Sequence, residues 1–221
     1  MGYRKLVFAE EGLYHLYARG VEKRELFLDD SDYHRFRQSL FLLNDERPAV
    51  DIRKRLQTGE TECISGRQPL VGIVCYCLMS NHFHLLLKEI RTGGITRFLR
   101  KLATGYAMYF NEKYKRTGVL FDGRYKAKEI PNDSYLLHLT RYIHLNPLNL
   151  LLPDWKEKGV ENWSDALSFL KDYRWSSLPD YLQIDNYRSI LDWASIQKHI
   201  AVTPGQSYLK FLRSWTTKEE F

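Results

Sequence analysis

Cysteine is scarce in this chain: Cys63, Cys75 and Cys77 are the only three among 221 residues. An odd number of thiols, two of them inside an apolar run, argues against a disulfide framework and fits a reducing compartment. Long hydrophobic runs are missing too; none approaches the roughly 20 residues a spanning helix needs. The N-terminus carries Glu10 and Glu11 where a signal peptide would need an apolar core, so a soluble, cytoplasmic protein is expected. Internal repeats, low-complexity segments and a phosphate-cradling glycine loop are likewise lacking, which sets aside solenoids, disordered tails and glycine-loop nucleotide sites. Net charge is modest, with 33 Lys and Arg against 27 Asp and Glu giving +6.

That small excess is concentrated. From Arg97 to Lys128 lie nine basic residues, Arg97, Arg100, Lys101, Lys113, Lys115, Arg116, Arg124, Lys126 and Lys128, against only Glu112 and Asp122. A local field larger than the net charge of the whole chain favours a polyanion, nucleic acid first, with binding that weakens steeply in salt. The length suits one domain, or one domain with an appended helical tail. The expected division is a main folded unit over 1–150 and a helical extension over 151–221.

Leu13 to Ala18 alternates like a half-buried strand and stops at Arg19-Gly20. Asp29 to Asp32 offers cap chemistry before Tyr33, Phe36, Leu40 and Leu43, spaced for an amphipathic helix ending near Asn44. Residues 46–68 are charged and irregular, broken by Pro48, Gly59 and Gly66 and basic in Arg53, Lys54 and Arg55; they read as an insertion. Leu70 to Leu78 is continuous apolar strand, expected to be central and covered on both faces, and forms an antiparallel hairpin with His82 to Lys88. A helix follows from Ile95 to about Tyr114, then strand and loop over 119–130 with Arg124, Lys126 and Lys128 alternating onto one face. Pro131-Asn132-Asp133 caps a helix from Ser134 to about Asn146, which Pro147 terminates.

The stretch that organises the rest is Ser80-Asn81-His82-Phe83-His84-Leu85. On a strand the side chains alternate, so His82 and His84 project together while Phe83 and Leu85 enter a core. An isolated His-x-His is more often a pair of ordinary strand residues than a metal site; a second stretch, Arg141 to Pro147, changes that. Tyr142 and Asn146, four apart on a helix, share a face. If that face meets the histidine strand, one site holds two imidazoles, an oxygen ligand and a phenol. Such a donor set leaves a divalent ion open positions for a phosphate oxygen, which suits Mg²⁺ or Mn²⁺ better than a closed zinc site. A phenol there points to covalent catalysis on a phosphodiester.

These residues resemble a known family. His82-Phe83-His84 resembles the signature of the HUH endonucleases, and Tyr142-Ile143-His144-Leu145-Asn146-Pro147 resembles the nucleophile helix of their single-tyrosine transposases. Tyr14 to Gly20, Arg116 to Lys126 and Tyr173-Arg174-Trp175-Ser176-Ser177 are similar to the REP-associated tyrosine transposases in particular. The resemblance implies an α+β, ferredoxin-like core with an antiparallel sheet and helices on one face, and a C-terminal helical tail beyond it. It also implies a metal site at His82, His84 and Asn146, and Tyr142 as nucleophile on single-stranded DNA, often a hairpin-bearing repeat. Asn146 stands where many insertion-sequence relatives have glutamine, as it does in the REP-associated group. The basic residues Arg97, Arg100, Lys101, Lys115, Arg116, Arg124, Lys126 and Lys128 are expected to hold the DNA. Two other readings stay open: a non-catalytic nucleic-acid-binding protein that keeps the fold, and a metal-dependent hydrolase with water as nucleophile. Oligomeric state, monomer or homodimer, is not legible.

Overall fold

A computed structural model describes residues 6–47 and 66–216. Most of the expected insertion, with Arg53, Lys54 and Arg55, lies outside the described residues. Four strands, β1 (Leu13–Arg19), β2 (Val71–Met79), β3 (His82–Glu89) and β4 (Lys126–Glu129), form one antiparallel sheet in the order β2-β3-β1-β4. The hairpin of β2 and β3 is the expected one, and β3 lies inside the sheet, so the histidines sit on a strand paired on both sides. Register decides what shares a face, because directly paired residues point the same way. Tyr17 opposes His84 and Arg19 opposes His82 on one flank of β3; Cys77 and Met79 oppose the same two histidines on the other. Lys126 opposes Tyr17 and Lys128 opposes His15. One sheet face therefore carries imidazoles, a phenol and cations, while Phe83 and Leu85 take the other and are buried.

That second face is closed by α1 (Asp30–Leu42) and α2 (Gly94–Lys113). Asp29 opens α1 with a reciprocal capping box to Asp32. Phe36 reaches the sheet 4.9 Å from Phe83 and meets Tyr106 of α2 at the same spacing. Of the apolar side expected for α2, Phe98, Leu102, Tyr106 and Phe110 are buried and Tyr109 is half-buried. Gly93 stands at the cap of α2 with φ 75, and at Gly94 a β-carbon would lie 2.2 Å from the carbonyl oxygen of Leu70, so only glycine fits there.

The histidine face receives α3 (Asp133–Leu145), capped by the Asn132 side chain accepting from the backbone N–H of Tyr135. α3 ends before Pro147, as expected, but the backbone does not leave the helical region there. Asn146 keeps φ −54 and ψ −38, and Pro147 keeps φ −59 and ψ −22, leading directly into α4 (Leu148–Leu151). Proline at the head of a new helical turn lacks only an N–H that would have no partner there.

The apolar run of β2 is not central: it lies at one end of the sheet order, yet all its residues are buried. Its free edge is covered by the C-terminal part of the chain. The N–H of Leu78 donates to the carbonyl of Trp175, that of Ser177 to Tyr76, and that of Asp192 to Ile73, while the Tyr181 hydroxyl donates to the Val74 carbonyl. A covered edge has the same apolar appearance as an interior strand. The covering elements, α5 (Trp155–Lys158), α6 (Trp163–Asp172), α7 (Leu178–Tyr181), α8 (Trp193–His199) and α9 (Gln206–Ser214), share one continuous hydrophobic core with the sheet. Among the described residues no helix is long and apolar enough to cross a membrane.

Candidate active site

Where β3 begins, the sheet brings His82 and His84 together with ring centroids 5.1 Å apart and planes nearly perpendicular. From the opposing helix, Tyr142 meets His84 edge-on, centroid to centroid 5.7 Å. The late helix and the paired-imidazole strand thus meet at the phenol. A cavity of about 320 Å³ joins them, lined by His82, His84 and Tyr142 with Arg19, Arg124 and Lys126.

Both imidazoles are held neutral. Burial lowers the pKa of His82 to about 4, with Arg19 and Lys156 adding repulsion. Burial also drives His84 well below the ordinary histidine value, with His15 and His82 contributing. A neutral ring is the form that offers a lone pair to a metal. Hydrogen bonds orient the rings. Nδ1 of His82 lies 2.7 Å from Oδ1 of Asn81, an acceptor only, so Nδ1 carries the proton and Nε2 the lone pair. Nδ1 of His84 lies 2.9 Å from Nε2 of His15, buried beside it in a stacked pair. With His84 donating in that bond, its own Nε2 is also left as an acceptor.

Asn146 follows Tyr142 by one turn but is placed differently. Its Oδ1 accepts from Nδ2 of Asn149 at 3.1 Å, its buried Nδ2 has no hydrogen-bond partner, and it is not among the residues lining the histidine cavity. Two of the three expected ligands, His82 and His84, therefore line one cavity, while Asn146 lies outside it with its oxygen accepting from Asn149. Among the described residues, no group of three or more His, Cys, Asp or Glu side chains is gathered as a metal site.

The basic residues divide between the cavities and the far end of β3. Arg124 and Lys126 line the histidine cavity, and Lys126 and Lys128 line an adjoining one; all three are exposed. Arg97 and Lys101 belong to the start of α2, beside Glu89 at the far end of β3. Seven residues of strand make that end about 23 Å from His82. There Arg97 pairs with Glu46 and Lys101 donates to the carbonyls of Asp45 and Arg47. Arg100 is exposed on the same helix. Arg116 ties the turn after α2 through Asn111 and the Val119 carbonyl, and Lys115 is exposed beside it.

Two neighbours were not among the expected site residues. Arg19 ends β1 opposite His82, a position that extending the alternation of His15 and Tyr17 by one step identifies. Lys156, whose Nζ lies 4.9 Å from the Tyr142 ring centroid, comes from a short helix far along the chain, and no local pattern announces it.

Compared with known proteins, residues 51–146 match the family of IS200-like transposases. Among solved structures, the fold is similar to that of a REP-associated tyrosine transposase bound to a REP hairpin, with a TM-score of 0.56 and 14% identity over 85% of this chain and 88% of that one. A bacterial tRNA(His) guanylyltransferase-like protein in complex with ATP aligns over 83% of this chain and 73% of its own at 12% identity, with a TM-score of 0.37. No curated protein matches. The resemblance read from the motifs thus meets the same family in the sequence comparison and the same α+β fold, with its antiparallel sheet, in the structural one.

Proposed function

We propose that this chain, matched to the IS200-like transposases over residues 51–146, nicks and rejoins single-stranded DNA through a covalent bond to Tyr142. The observation that carries the reading is the Tyr142 ring against His84 in a cavity bordered by Arg19, Arg124 and Lys126. The phenol oxygen attacks the scissile phosphorus, the bond from phosphorus to the 3′ oxygen breaks, and the proton lost by the phenol is balanced by one gained at the departing 3′ hydroxyl. The downstream strand stays on the protein as a 5′-phosphotyrosine. Because that ester conserves the bond energy, a 3′ hydroxyl can reverse the step, and no nucleotide cofactor is needed.

His82 and His84 fit a divalent ion, Mg²⁺ or Mn²⁺, as neutral nitrogen donors; Asn146 keeps a second oxygen lone pair beside the one Asn149 uses, but it does not line the histidine cavity. When bound, such an ion supplies Lewis-acid polarisation of a phosphate oxygen. The chain's own groups do the rest. Arg19, Arg124 and Lys126 neutralise the phosphate and its neighbours, His15 holds the His84 ring, and the sheet fixes the imidazoles more firmly than a loop would. The DNA partner in this reading is a single strand, including hairpin-bearing repeats of the kind bound by the solved structural neighbour.

The test uses 3′-labelled single strands carrying hairpins, incubated with Mn²⁺ and resolved under denaturing conditions. A labelled band at the mass of protein plus DNA is expected for the wild type and not for Tyr142→Phe. Absence of an adduct with every strand tried refutes the reading. The absence of Asn146 from the lining of the histidine cavity favours one competitor, a nucleic-acid-binding protein without chemistry. Unchanged DNA affinity with neither adduct nor cleavage identifies it.

A further inference from the structure

Beside the histidine cavity lies a second and larger one, of about 550 Å³. The two share Tyr17, His84, Lys126 and Tyr142. Any strand that places a phosphate at the Tyr142 hydroxyl therefore has this second space immediately next to it. We propose that the second cavity is a subsite for an unpaired nucleobase of the strand that Tyr142 attacks, stacked between the rings of Tyr17, Tyr135 and Trp215. The inference rests on the proposed DNA reading and adds what is recognised beyond phosphate.

Three observations carry it. The first is the chemistry of the walls: no carboxylate lines the cavity, and its only lysines and arginines are Lys126 and Lys128, side by side on β4. Cations alone would hold any polyanion; aromatic faces next to them match a nucleotide, which brings a phosphate and a π-surface together. The second is that the rings are half-buried yet held in place. Lys128 Nζ bonds the Tyr135 hydroxyl at 2.8 Å and sits 4.8 Å from that ring's centroid, Lys126 Nζ lies 5.8 Å from the Tyr17 ring, and Arg141 lies 4.5 Å from the Trp215 ring. Orientation before binding lowers the entropy cost of stacking. The third is that the walls come from different parts of the fold. Tyr17 is on the sheet, Tyr135 opens the helix of Tyr142 and Trp215 follows α9, so a base held there is referenced to the phenol by the same core.

Stacking tolerates any base, so the test does not need the natural target. Affinity is measured without divalent metal for dT10 and for a decamer of abasic sugars with the same phosphates. The wild type is expected to prefer dT10 by about fivefold or more. Tyr135→Leu should lose most of that preference, and Tyr17→Leu should do the same. Tyr135→Phe, which keeps the ring and loses the hydroxyl, should retain it. Full preference in both leucine variants, or equal loss in the leucine and phenylalanine variants, overturns the subsite while leaving the nicking reading intact. Failure of both oligonucleotides to bind the wild type counts instead against the DNA reading itself.

Discussion

Replacing Arg124, Lys126 and Lys128 together by glutamine should change how DNA binding responds to salt, and the size of the change follows from where these cations sit. All three are exposed, and all three line the two cavities that meet at Tyr142. Each phosphate neutralised on a single strand contributes about −0.7 to the slope of log affinity against log salt. Losing three such contacts should therefore flatten the slope by about 2. Between 50 and 200 mM salt, a fourfold change, that corresponds to roughly a 20-fold loss of salt sensitivity. Fluorescence anisotropy with a labelled 20-mer across that range measures it directly. Arg97→Gln with Lys101→Gln supplies the contrast, because those cations are engaged with Glu46 and the 45–47 backbone at the other end of β3. If that pair flattens the slope as much as the triple variant does, or if the triple variant leaves it unchanged, the assignment of the DNA path is wrong.

Glu89 is fully buried and caps α2 with both oxygens, accepting from the N–H groups of Gly94 and Ile95 at 3.1 and 2.7 Å. Glu89→Gln replaces one acceptor by a donor facing an N–H, so it should cost about 2 kcal/mol, seen as a midpoint drop of about 4–8 °C in thermal unfolding. Tyr208→Phe leaves Nδ1 of buried His144 without the hydroxyl that lies 2.7 Å away. A loss of about 1–2 kcal/mol in urea unfolding is expected, and no loss would show that α9 does not fasten the helix of Tyr142. Lys113 pairs with exposed Asp29 and fully buried Asp32. Its hydrogen bond to Asp29 is the main reason the Asp29 carboxyl lies well below its usual 3.8. Burial works against the Lys113 ammonium, but the two carboxylates outweigh it and hold its pKa above 10.5. A depressed acid stabilises the fold above its unfolded value and stops doing so as pH falls through the folded one; a raised base does so below its unfolded value and stops as pH rises through the folded one. The wild type should thus lose this contribution below about pH 3.8 and above about pH 10.5, and Lys113→Met should reduce both limbs of a stability-versus-pH curve while lowering the plateau between them.

Local patterns made much of this architecture readable. Alternation alone places His82 and His84 on one face of β3 with Phe83 behind them, and the caps at Asp29 and Asn132 mark where α1 and α3 begin. The position of β2 at the sheet margin was not readable, because the residues that cover it, 173–192, lie about a hundred positions away and meet it largely at its backbone, by backbone groups and by the Tyr173, Ser177 and Tyr181 hydroxyls. Counting charge from Arg97 to Lys128 also hides a fact of geometry: α2 starts its cations beside the Glu89 end of β3, while β4 sets Lys126 level with His84 and Lys128 level with Leu86, in the middle of the sheet. Asn146 shows the same limit. Its helical position follows from spacing with Tyr142, but its bond to Asn149 depends on the backbone staying helical through Pro147.

The account stands or falls on the phenol of Tyr142. After reaction with a hairpin-bearing single strand and Mn²⁺, nuclease trimming and proteolysis, tandem mass spectrometry of the peptides locates the covalent link. A nucleotide joined through its 5′ phosphate to Tyr142 is the expected result. A link at any other residue, or strand cleavage with no link at all, contradicts it.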